Sequence, residues 1–353
     1  MKAMIAMSGG VDSSVAAYLM QQQGYECAGC TMKLYENTDA ALPEGKTCCS
    51  LDDTEDARSV ARRLGMPFYV FNYTGEFREK IIGRFVETYL AGRTPNPCID
   101  CNHCMKFGSL LDRALLLGYD KLVTGHYARI SFDGERYHLL RGLDAGKDQS
   151  YVLYSLTQSQ LAHLVFPLGE MTKQETRRIA EENGFINAKK PDSQDICFVP
   201  DGDYARVIEQ HVKAVPPPGD FVHLDGRVLG RHKGIIHYTI GQRKGLGLSL
   251  PAPLYVVRLD TEKNQVILGP HEALFQTEVP VQDVNWISGM APFAPIRVEA
   301  KLRYRQKAAP ALALPQEDGS VLLHFDEPQR AVTPGQAAVW YANDEVLGGG
   351  IIA

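Results

Sequence analysis

The chain of 353 residues lacks several things whose absence narrows its class. No apolar run reaches the roughly 20 residues that a membrane-spanning helix needs. The opening MKAMIAMSGG lacks the features of a signal peptide, because its apolar stretch is short and runs into a glycine turn. The expected location is therefore the cytoplasm, with no membrane attachment. A basic excess is also missing: 37 Lys and Arg stand against 42 Asp and Glu, for a net charge of −5. Bulk charge thus gives no sign of a nucleic-acid binder, although phosphate is read locally and a basic patch fits on an acidic whole. There is no internal repeat and no low-complexity tract. The composition is that of a globular protein, and its length suits two or three domains.

Present instead is an alternation of short apolar runs and helical periods. Residues 3–7 read as a buried parallel strand, followed by a glycine turn and a helix that stops at Gly24. Strands are expected at 25–34, 68–72 and 121–125, with helices at 52–64, 76–90 and 106–117. That order predicts an α/β fold with a doubly wound parallel sheet, whose ligands sit beyond the carboxyl ends of the strands. The turn after the first strand, the loop after Leu34, and Gly125–His126 should converge there. Residues 129–141 read as a hairpin around Asp133-Gly134, and helices follow at 158–165 and 173–183. Pro216-Pro217-Pro218-Gly219 breaks the chain, and beyond it short strands with Gly and Pro turns dominate. The expected units are a catalytic domain over 1–202, a small central β-rich domain over 203–272, and a C-terminal β-barrel over 273–353.

Ser8-Gly9-Gly10-Val11-Asp12-Ser13 lies between the first strand and the first helix. Glycines let a backbone close on an anion, and the helix N-terminus then faces phosphate. Ser8 and Ser13 can add hydroxyl donors. Asp12 disfavours phosphate, so its expected work is to hold a magnesium ion or to orient the loop. The bland reading is a capped strand–turn–helix. Two hydroxyls, two glycines and an acid in six residues at this position argue against it. No Gly-Lys-Ser/Thr follows, so this is not a Walker A loop. It resembles the loop of the ATP pyrophosphatases, which split ATP to AMP and pyrophosphate while adenylating an oxygen.

Eight cysteines in a cytosolic chain point to catalysis, redox chemistry or metal rather than a disulfide scaffold. Cys27 and Cys30 read as buried small apolar residues. Cys48 and Cys49 are left undecided. Cys98, Cys101 and Cys104 fall at three-residue spacing behind a rigid Pro95-Asn96-Pro97 segment, expected to be a loop before a helix. A thiol near a helix N-terminus is biased toward the reactive thiolate. Cys197 stands in a second polar loop, Asp192-Ser193-Gln194-Asp195-Ile196-Cys197. Two thiols far apart in sequence act together where the fold joins them, one carrying a persulfide and the other resolving it. A second reading has Cys98, Cys101, Cys104 and Cys197 holding an iron–sulfur cluster or zinc.

Further along, Arg297, Lys301, Arg303, Arg305 and Lys307 are all odd-numbered, which in a strand gives one basic face suited to phosphate. The central region adds Arg227, Arg231, Lys233, Arg243 and Lys244. An enzyme acting on one base must extrude it into a pocket, and Pro95–Cys101 with Tyr127 are candidates to line it.

Taken in order, SGGVDS (8–13), Met32, GRTPNPCIDCN (92–102), TGHYAR (124–129), KDQSYVLYSL (147–156), KPDSQDICF (190–198), YTIGQRKGLG (238–247) and LRYRQ (302–306) resemble the tRNA-specific 2-thiouridylases over nearly the whole chain. The resemblance implies ATP-dependent thiolation of the wobble uridine of tRNA. It implies that Cys197 carries a persulfide delivered by a sulfur-relay protein or cysteine desulfurase. Cys101 would be the partner nucleophile, forming a disulfide with Cys197 as sulfur leaves. It further implies that Ala6, Met7, Ser8, Gly9, Gly10, Val11, Asp12, Ser13, Met32 and Gly125 line the ATP site. Asn96, Pro97 and Cys98 would lie against the target base. His126, Lys147, Asp148, Gln149, Arg303, Tyr304 and Gln336 would contact tRNA. Some members carry an aspartate at the position of Cys98, a candidate for proton transfer; here the neighbouring acid is Asp100. Two other readings compete: a small-molecule ligase of the same ATP class, which needs neither paired cysteines nor basic β-domains, and an RNA-binding or cluster-carrying protein without ATP turnover.

Overall fold

The computed structural model describes residues 1–36, 39, 51–192, 196–199, 201–249 and 251–353. Cys48, Cys49 and the motif residues 193–195 lie outside them. In chain order the strands are β1 Lys2–Ala6, β2 Glu26–Lys33, β3 Phe68–Asn72, β4 Lys121–Val123, β5 Ala128–Phe132, β6 Tyr137–Arg141 and β7 Leu164–Val165. Then come β8 Gly219–His223, β9 Val228–His232, β10 Tyr255–Asp260, β11 Gln265–Gly269, β12 Phe275–Trp286, β13 Ile296–Lys301, β14 Ala309–Pro315, β15 Val321–Arg330, β16 Ala337–Ala342 and β17 Glu345–Ile352.

The first sheet has the order β3-β2-β1-β4-β7 and every pairing is parallel. Ala3, Met4 and Ile5 of β1 are fully buried, as a central strand covered on both faces requires. Because β2 lies on one side of β1 and β4 on the other, a switch point opens at the carboxyl ends of β1 and β4. The expected α/β class therefore holds. One expectation does not: residues 158–165 are not one helix. A single turn, Gln158–Leu161, is closed by a Thr157–Gln160 capping box, and the chain then enters β7. Four residues of apolar character were too few to separate strand from helix.

Two helices depart from regular α geometry. Thr74–Phe77 passes through a π-helical segment Arg78–Gly83 into Arg84–Leu90. Pro97–Asp100 continues as a π-helical Cys101–Leu110 and then Leu111–Leu116. The cysteine segment is thus not a loop before a helix. The helix starts nine residues earlier than Lys106, with Pro97 at its first position, where a missing N–H costs nothing.

The central domain is a four-stranded sheet of order β10-β11-β8-β9. In the C-terminal domain β12, β15, β14, β13, β16 and β17 pair in sequence, and β12 also pairs with β17, closing a six-stranded barrel. The hairpin β5–β6 leaves the first domain and extends this sheet through β6 to β17. Its turn at Asp133-Gly134 matches expectation, whereas its partner strand, some 200 residues away, has no local signal. His138 ties the joint, its Nδ1 2.8 Å from Glu345 Oε1 and its Nε2 2.8 Å from Asp133 Oδ2.

Hydrogen bonding to Asp133, and then to Glu345, raises the His138 pKa. A folded-state value above the unfolded one gives stability that is fully present below the unfolded pKa of about 6.5 and is lost as pH rises through the folded value. The thermal midpoint of the native chain should therefore exceed that of His138→Gln near pH 6, and the gap should narrow toward pH 8.5. A gap independent of pH would contradict the assignment.

Candidate active site

The phosphate-loop candidate occupies the switch point. Gly9 has φ +74°, and a Cβ there would stand 2.3 Å from the carbonyl oxygen of Asp53. A non-glycine residue is therefore excluded twice, by conformation and by space. Gly125, just past β4, is equally constrained: a Cβ would lie 2.8 Å from the Asp12 carbonyl carbon. This close approach delivers the expected convergence of the two strand ends. The loop then enters the helix Val11–Gln22 through Gly10, and the first N–H groups of a helix have no internal partners. Ser8 is exposed. Ser13 is buried and spends its hydroxyl on the Gly10 carbonyl at 3.1 Å, while accepting from Ser8 N at 3.3 Å. Ser13 thus shapes the loop, and Ser8 is the hydroxyl that faces outward. Met7 and Val11 are buried beneath the loop, with Ala6 and Met32 half-buried.

Asp12 is held by Lys173, whose Nζ lies 2.7 and 2.8 Å from its two carboxylate oxygens. The Tyr127 hydroxyl lies 2.8 Å from Asp12 Oδ1 and 3.0 Å from Thr176 Oγ1. Tyr127 is therefore a buried strut between the loop and the helix Lys173–Glu182, and not part of a base pocket. These contacts favour the orienting role of Asp12. Its charge is already matched by Lys173, so the residues present do not fit a magnesium site centred on Asp12.

Sequence reading missed Lys173 and its surroundings. The same Nζ lies 2.7 Å from Asp192 Oδ1. Asp192 also meets Lys147 Nζ at 2.7 Å and Arg177 at 3.1 Å. Burial alone would raise the Asp192 pKa, but hydrogen bonds from Lys147 and Lys173 outweigh it and hold the carboxyl at about 2. Nearby, Asn187 Nδ2 donates to Gly9 O at 3.0 Å and Ser14 Oγ at 2.9 Å, and Lys190 pairs with Asp53 and Asp56. The segment that leads to Cys197 is thus wired to the phosphate loop. A Lys after the Thr172 cap of a charged helix carries no signal of this in sequence.

The cysteines divide by environment. Burial pushes the Cys27 thiol up to about 11 and the Cys30 thiol to about 12, consistent with inert core residues. Cys101 and Cys104 are half-buried, packed against a core that includes Phe77, Phe85 and Phe198. Cys197 is exposed, between Ile196 and Phe198 of that same cluster, and its carbonyl accepts from Tyr35 OH at 2.6 Å. Both cysteine segments therefore rest on one apolar bed. Cys98 is open to solvent, yet protein mass around it desolvates the thiolate and raises its pKa, assisted by Asp100 and opposed by Lys106. The expected thiolate bias does not hold there. The cluster reading also loses its geometry: among the described residues no three His, Cys, Asp or Glu side chains converge as a metal site. Asp100 has its carboxyl pKa raised by burial, against Arg84 at 3.2 Å.

The C-terminal barrel grips the Cys98 segment. Thr94 N donates to Pro334 O at 2.8 Å, and Gln336 Nε2 donates to Thr94 O at 3.0 Å and Pro95 O at 3.1 Å. Gln336, expected against tRNA, is half-buried and holds that loop through its amide nitrogen. Tyr304 is exposed, 6.0 Å from the Tyr151 ring and within electrostatic reach of the Cys98 thiol. Asn96 is half-buried and Pro97 buried beside them. His126 is enclosed, 7% exposed, with its ring between Phe107 and Phe166 and 2.7 Å from Thr124 Oγ1. Desolvation lowers its pKa well below the usual range, which favours the neutral imidazole. Lys147, Asp148 and Gln149 are half-buried: Asp148 accepts from Gly142 N and Ser150 N, and Gln149 accepts from Tyr127 N.

The basic face also needs correction. Burial alternates along β13, but the strand ends at Lys301, so Arg303, Arg305 and Lys307 leave its plane. Arg303 turns inward to Ala331 O and Thr333 Oγ1, both at 2.8 Å, and Arg297 pairs with Asp326. Arg227 and Arg231 pair with Asp225 and Asp220, while Lys233, Arg243 and Lys244 are exposed.

A parallel sheet with a glycine-rich loop at its switch point and two appended β-domains sets the architecture that the family models then match. The family model described as "tRNA methyl transferase HUP domain" matches residues 1–201. The "PRC-barrel domain" of the same name matches 205–270, and "Aminomethyltransferase beta-barrel domain" matches 276–352. A tRNA-specific 2-thiouridylase MnmA of Acetivibrio thermocellus is 51% identical, covering 99% of each chain. That of Clostridioides difficile is 49% identical, covering 99% of this chain and 98% of its own. A solved 4-thiouridine synthetase–RNA complex with bound ATP aligns with 59% of this chain and 50% of its own, at 20% identity and TM-score 0.36, too distant to bear on the site. The chain belongs to the tRNA-specific 2-thiouridylase family, and it is an enzyme of the tRNA sulfurtransferase class.

Gly9→Ala should place a methyl against Asp53 and displace the loop. ATP turnover is then expected to fall about 100-fold, the scale of a 1 Å misplacement, with far-UV circular dichroism unchanged. Full turnover in this variant would contradict the loop assignment.

Proposed function

We propose that the enzyme uses ATP to adenylate the 2-oxygen of the wobble uridine in tRNA and replaces that oxygen with sulfur carried on Cys197. The observation that carries this reading is the shared bed beneath Cys101 and Cys197, joined through Asp192 to the phosphate loop. The uridine 2-oxygen attacks the α-phosphate and pyrophosphate leaves. The terminal sulfur of a Cys197 persulfide then attacks C2, and AMP departs with the original oxygen. The Cys101 thiolate attacks the inner sulfur of Cys197, the thiocarbonyl leaves as product, and a Cys101–Cys197 disulfide remains. An external dithiol must supply two electrons to reset it.

The phosphate loop would hold the triphosphate through backbone N–H groups at Gly9–Val11 and the Ser8 hydroxyl. Asn96, Pro97, Cys98 and Tyr304 would receive the extruded base, Tyr304 by stacking. Exposed Lys233, Arg243, Lys244, Arg305 and Lys307 would meet tRNA phosphates. The sulfur donor would be a sulfur-relay protein or a cysteine desulfurase. Asp100, a carboxyl made less acidic by burial on the same helix as Cys98 and Cys101, would be the proton-transfer group. Magnesium would accompany ATP as a phosphate-bound ion, and no step depends on its ligation by Asp12. A small-molecule ligase has no use for two cysteine segments on one bed or for a barrel clamped on the Thr94–Pro95 loop before the Cys98 helix.

Incubation with ATP, a persulfide donor and unmodified tRNA should yield AMP, pyrophosphate and 2-thiouridine. Cys101→Ser and Cys197→Ser should each cut thiolation at least ~1000-fold, the scale of losing a nucleophile, while pyrophosphate release in the adenylation step persists for a first turnover. Full thiolation in either variant removes that cysteine from the mechanism.

A further inference from the structure

A cavity of about 290 Å³ lies beside the Cys98 segment, where the first domain meets the barrel. Its wall includes Arg84 and Glu87 of the helix Arg84–Leu90, Arg93, Asn96 and Asp100 of the cysteine segment, and Asp283 of β12. The volume falls at the small end of ligand pockets, which suits a single nucleobase. The wall carries more polar groups than it pairs. Asp100 is matched by Arg84 at 3.2 Å. The side chains of Glu87, Arg93, Asn96 and Asp283 make no hydrogen bond or ion pair with any described residue. Tyr154 is 4% exposed and within electrostatic reach of Asp100, Arg84 and Asp283. Its hydroxyl has no hydrogen-bond partner among the described residues, whereas an enclosed phenol ordinarily has one. Asp283 is placed by a local break in the strand. Its φ is +50°, and the register of β12 against β17 shifts between Gln282 and Asn285. A bulge of this kind re-aims a side chain beside an active site, and aspartate tolerates the left-handed conformation better than most residues.

Asn96 joins this cavity to the proposed target-base site, because it lines the first and begins the Asn96-Pro97-Cys98 set of the second. A uridine extruded onto that set keeps its chain neighbours close, unstacked and with their base edges open. We propose that the cavity receives one nucleotide flanking the wobble uridine, with Asp283 accepting from an N–H on its base edge and Arg93 holding its phosphate. A carboxylate and a guanidinium without partners are the groups that such a base and phosphate satisfy. The Tyr154 hydroxyl gains its missing partner from the same base. A base that presents an N–H toward Asp283 is accepted, and one that presents only acceptors leaves the carboxylate unpaired. The enzyme thus selects its tRNA by the nucleotide beside the target as well as by the target itself. This inference rests on the thiolation reading above.

The test uses the full chain and full-length tRNA assembled by ligation, with an abasic residue in place of the nucleotide before or after the wobble uridine. Single-turnover thiolation at varied tRNA gives the half-saturating concentration and the limiting rate. At one of the two positions the abasic residue should raise the half-saturating concentration at least ~10-fold, the scale of one hydrogen bond to a charged group. Asp283→Asn keeps the size and the tolerance of positive φ, so its thermal midpoint should match that of the native chain. It should show a similar rise with intact tRNA. The abasic residue should then cost it less than about twofold more, because both changes remove one contact. Arg93→Ala should weaken intact and abasic tRNA alike. If neither abasic tRNA differs from intact tRNA, or if the Asp283→Asn and abasic effects simply multiply, the inference is overturned while the thiolation reading stands. If the native chain thiolates no tRNA, the thiolation reading fails and takes the inference with it.

Discussion

Three aromatic rings support the chemistry of this enzyme. Phe198 packs edge-on against Phe77 at 5.7 Å and against Phe85 at 5.2 Å. Edge-to-face contacts of this kind fix orientation as well as bury area. Phe198 follows Cys197 directly, and Phe77 and Phe85 belong to the helical run that also packs beneath Cys101 and Cys104. A polar, loop-borne cysteine is thereby tied to a helix-borne one almost a hundred residues away. The central domain shares the bed through Phe221, Ile235 and Val256, so its packing bears on the same two thiols.

A second core does the matching work for the barrel. Ile99, between Cys98 and Asp100, is buried with Tyr151, Tyr154, Ala337, Val339 and Tyr341. The apolar side of the Cys98 helix therefore faces the barrel, and Gln336 closes on the preceding loop from the same domain. The barrel, expected as an RNA-contacting module, is also a scaffold for the segment that carries Cys98 and Cys101. The hairpin β5–β6 reinforces this by adding strands of the first domain to the barrel sheet. A ten-residue π-helical stretch beginning at Cys101 fits this setting, because such geometry marks sites where function overrides regular hydrogen bonding.

Much of this was legible in sequence where the signal is local. Gly9 and Gly10 announce close backbone approach, alternation of strands and helices announces the parallel sheet, and a shared apolar strand sets Cys27 and Cys30 apart from the other cysteines. What stayed hidden depends on long-range pairing. No periodicity tells that Tyr127 braces Asp12, that Lys173 bridges two acids 180 residues apart, or that Arg303 turns inward. His126 and Gln336 show the same limit from the other side: the family resemblance singles them out, whereas their packing between Phe107 and Phe166 and their hold on the Thr94–Pro95 loop have no local signal. The odd-numbered basic strip failed because a strand's period holds only as far as the strand, which ends at Lys301.

The proposed mechanism requires Cys101 and Cys197 to work as a pair on one apolar bed. Mild oxidation of the full chain with one equivalent of diamide, followed by proteolysis without reduction and mass mapping, tests it without depending on any assay of activity. A dominant Cys101–Cys197 cross-linked peptide is expected. A dominant Cys98–Cys101 or Cys101–Cys104 linkage, with Cys197 recovered as a thiol, would contradict it.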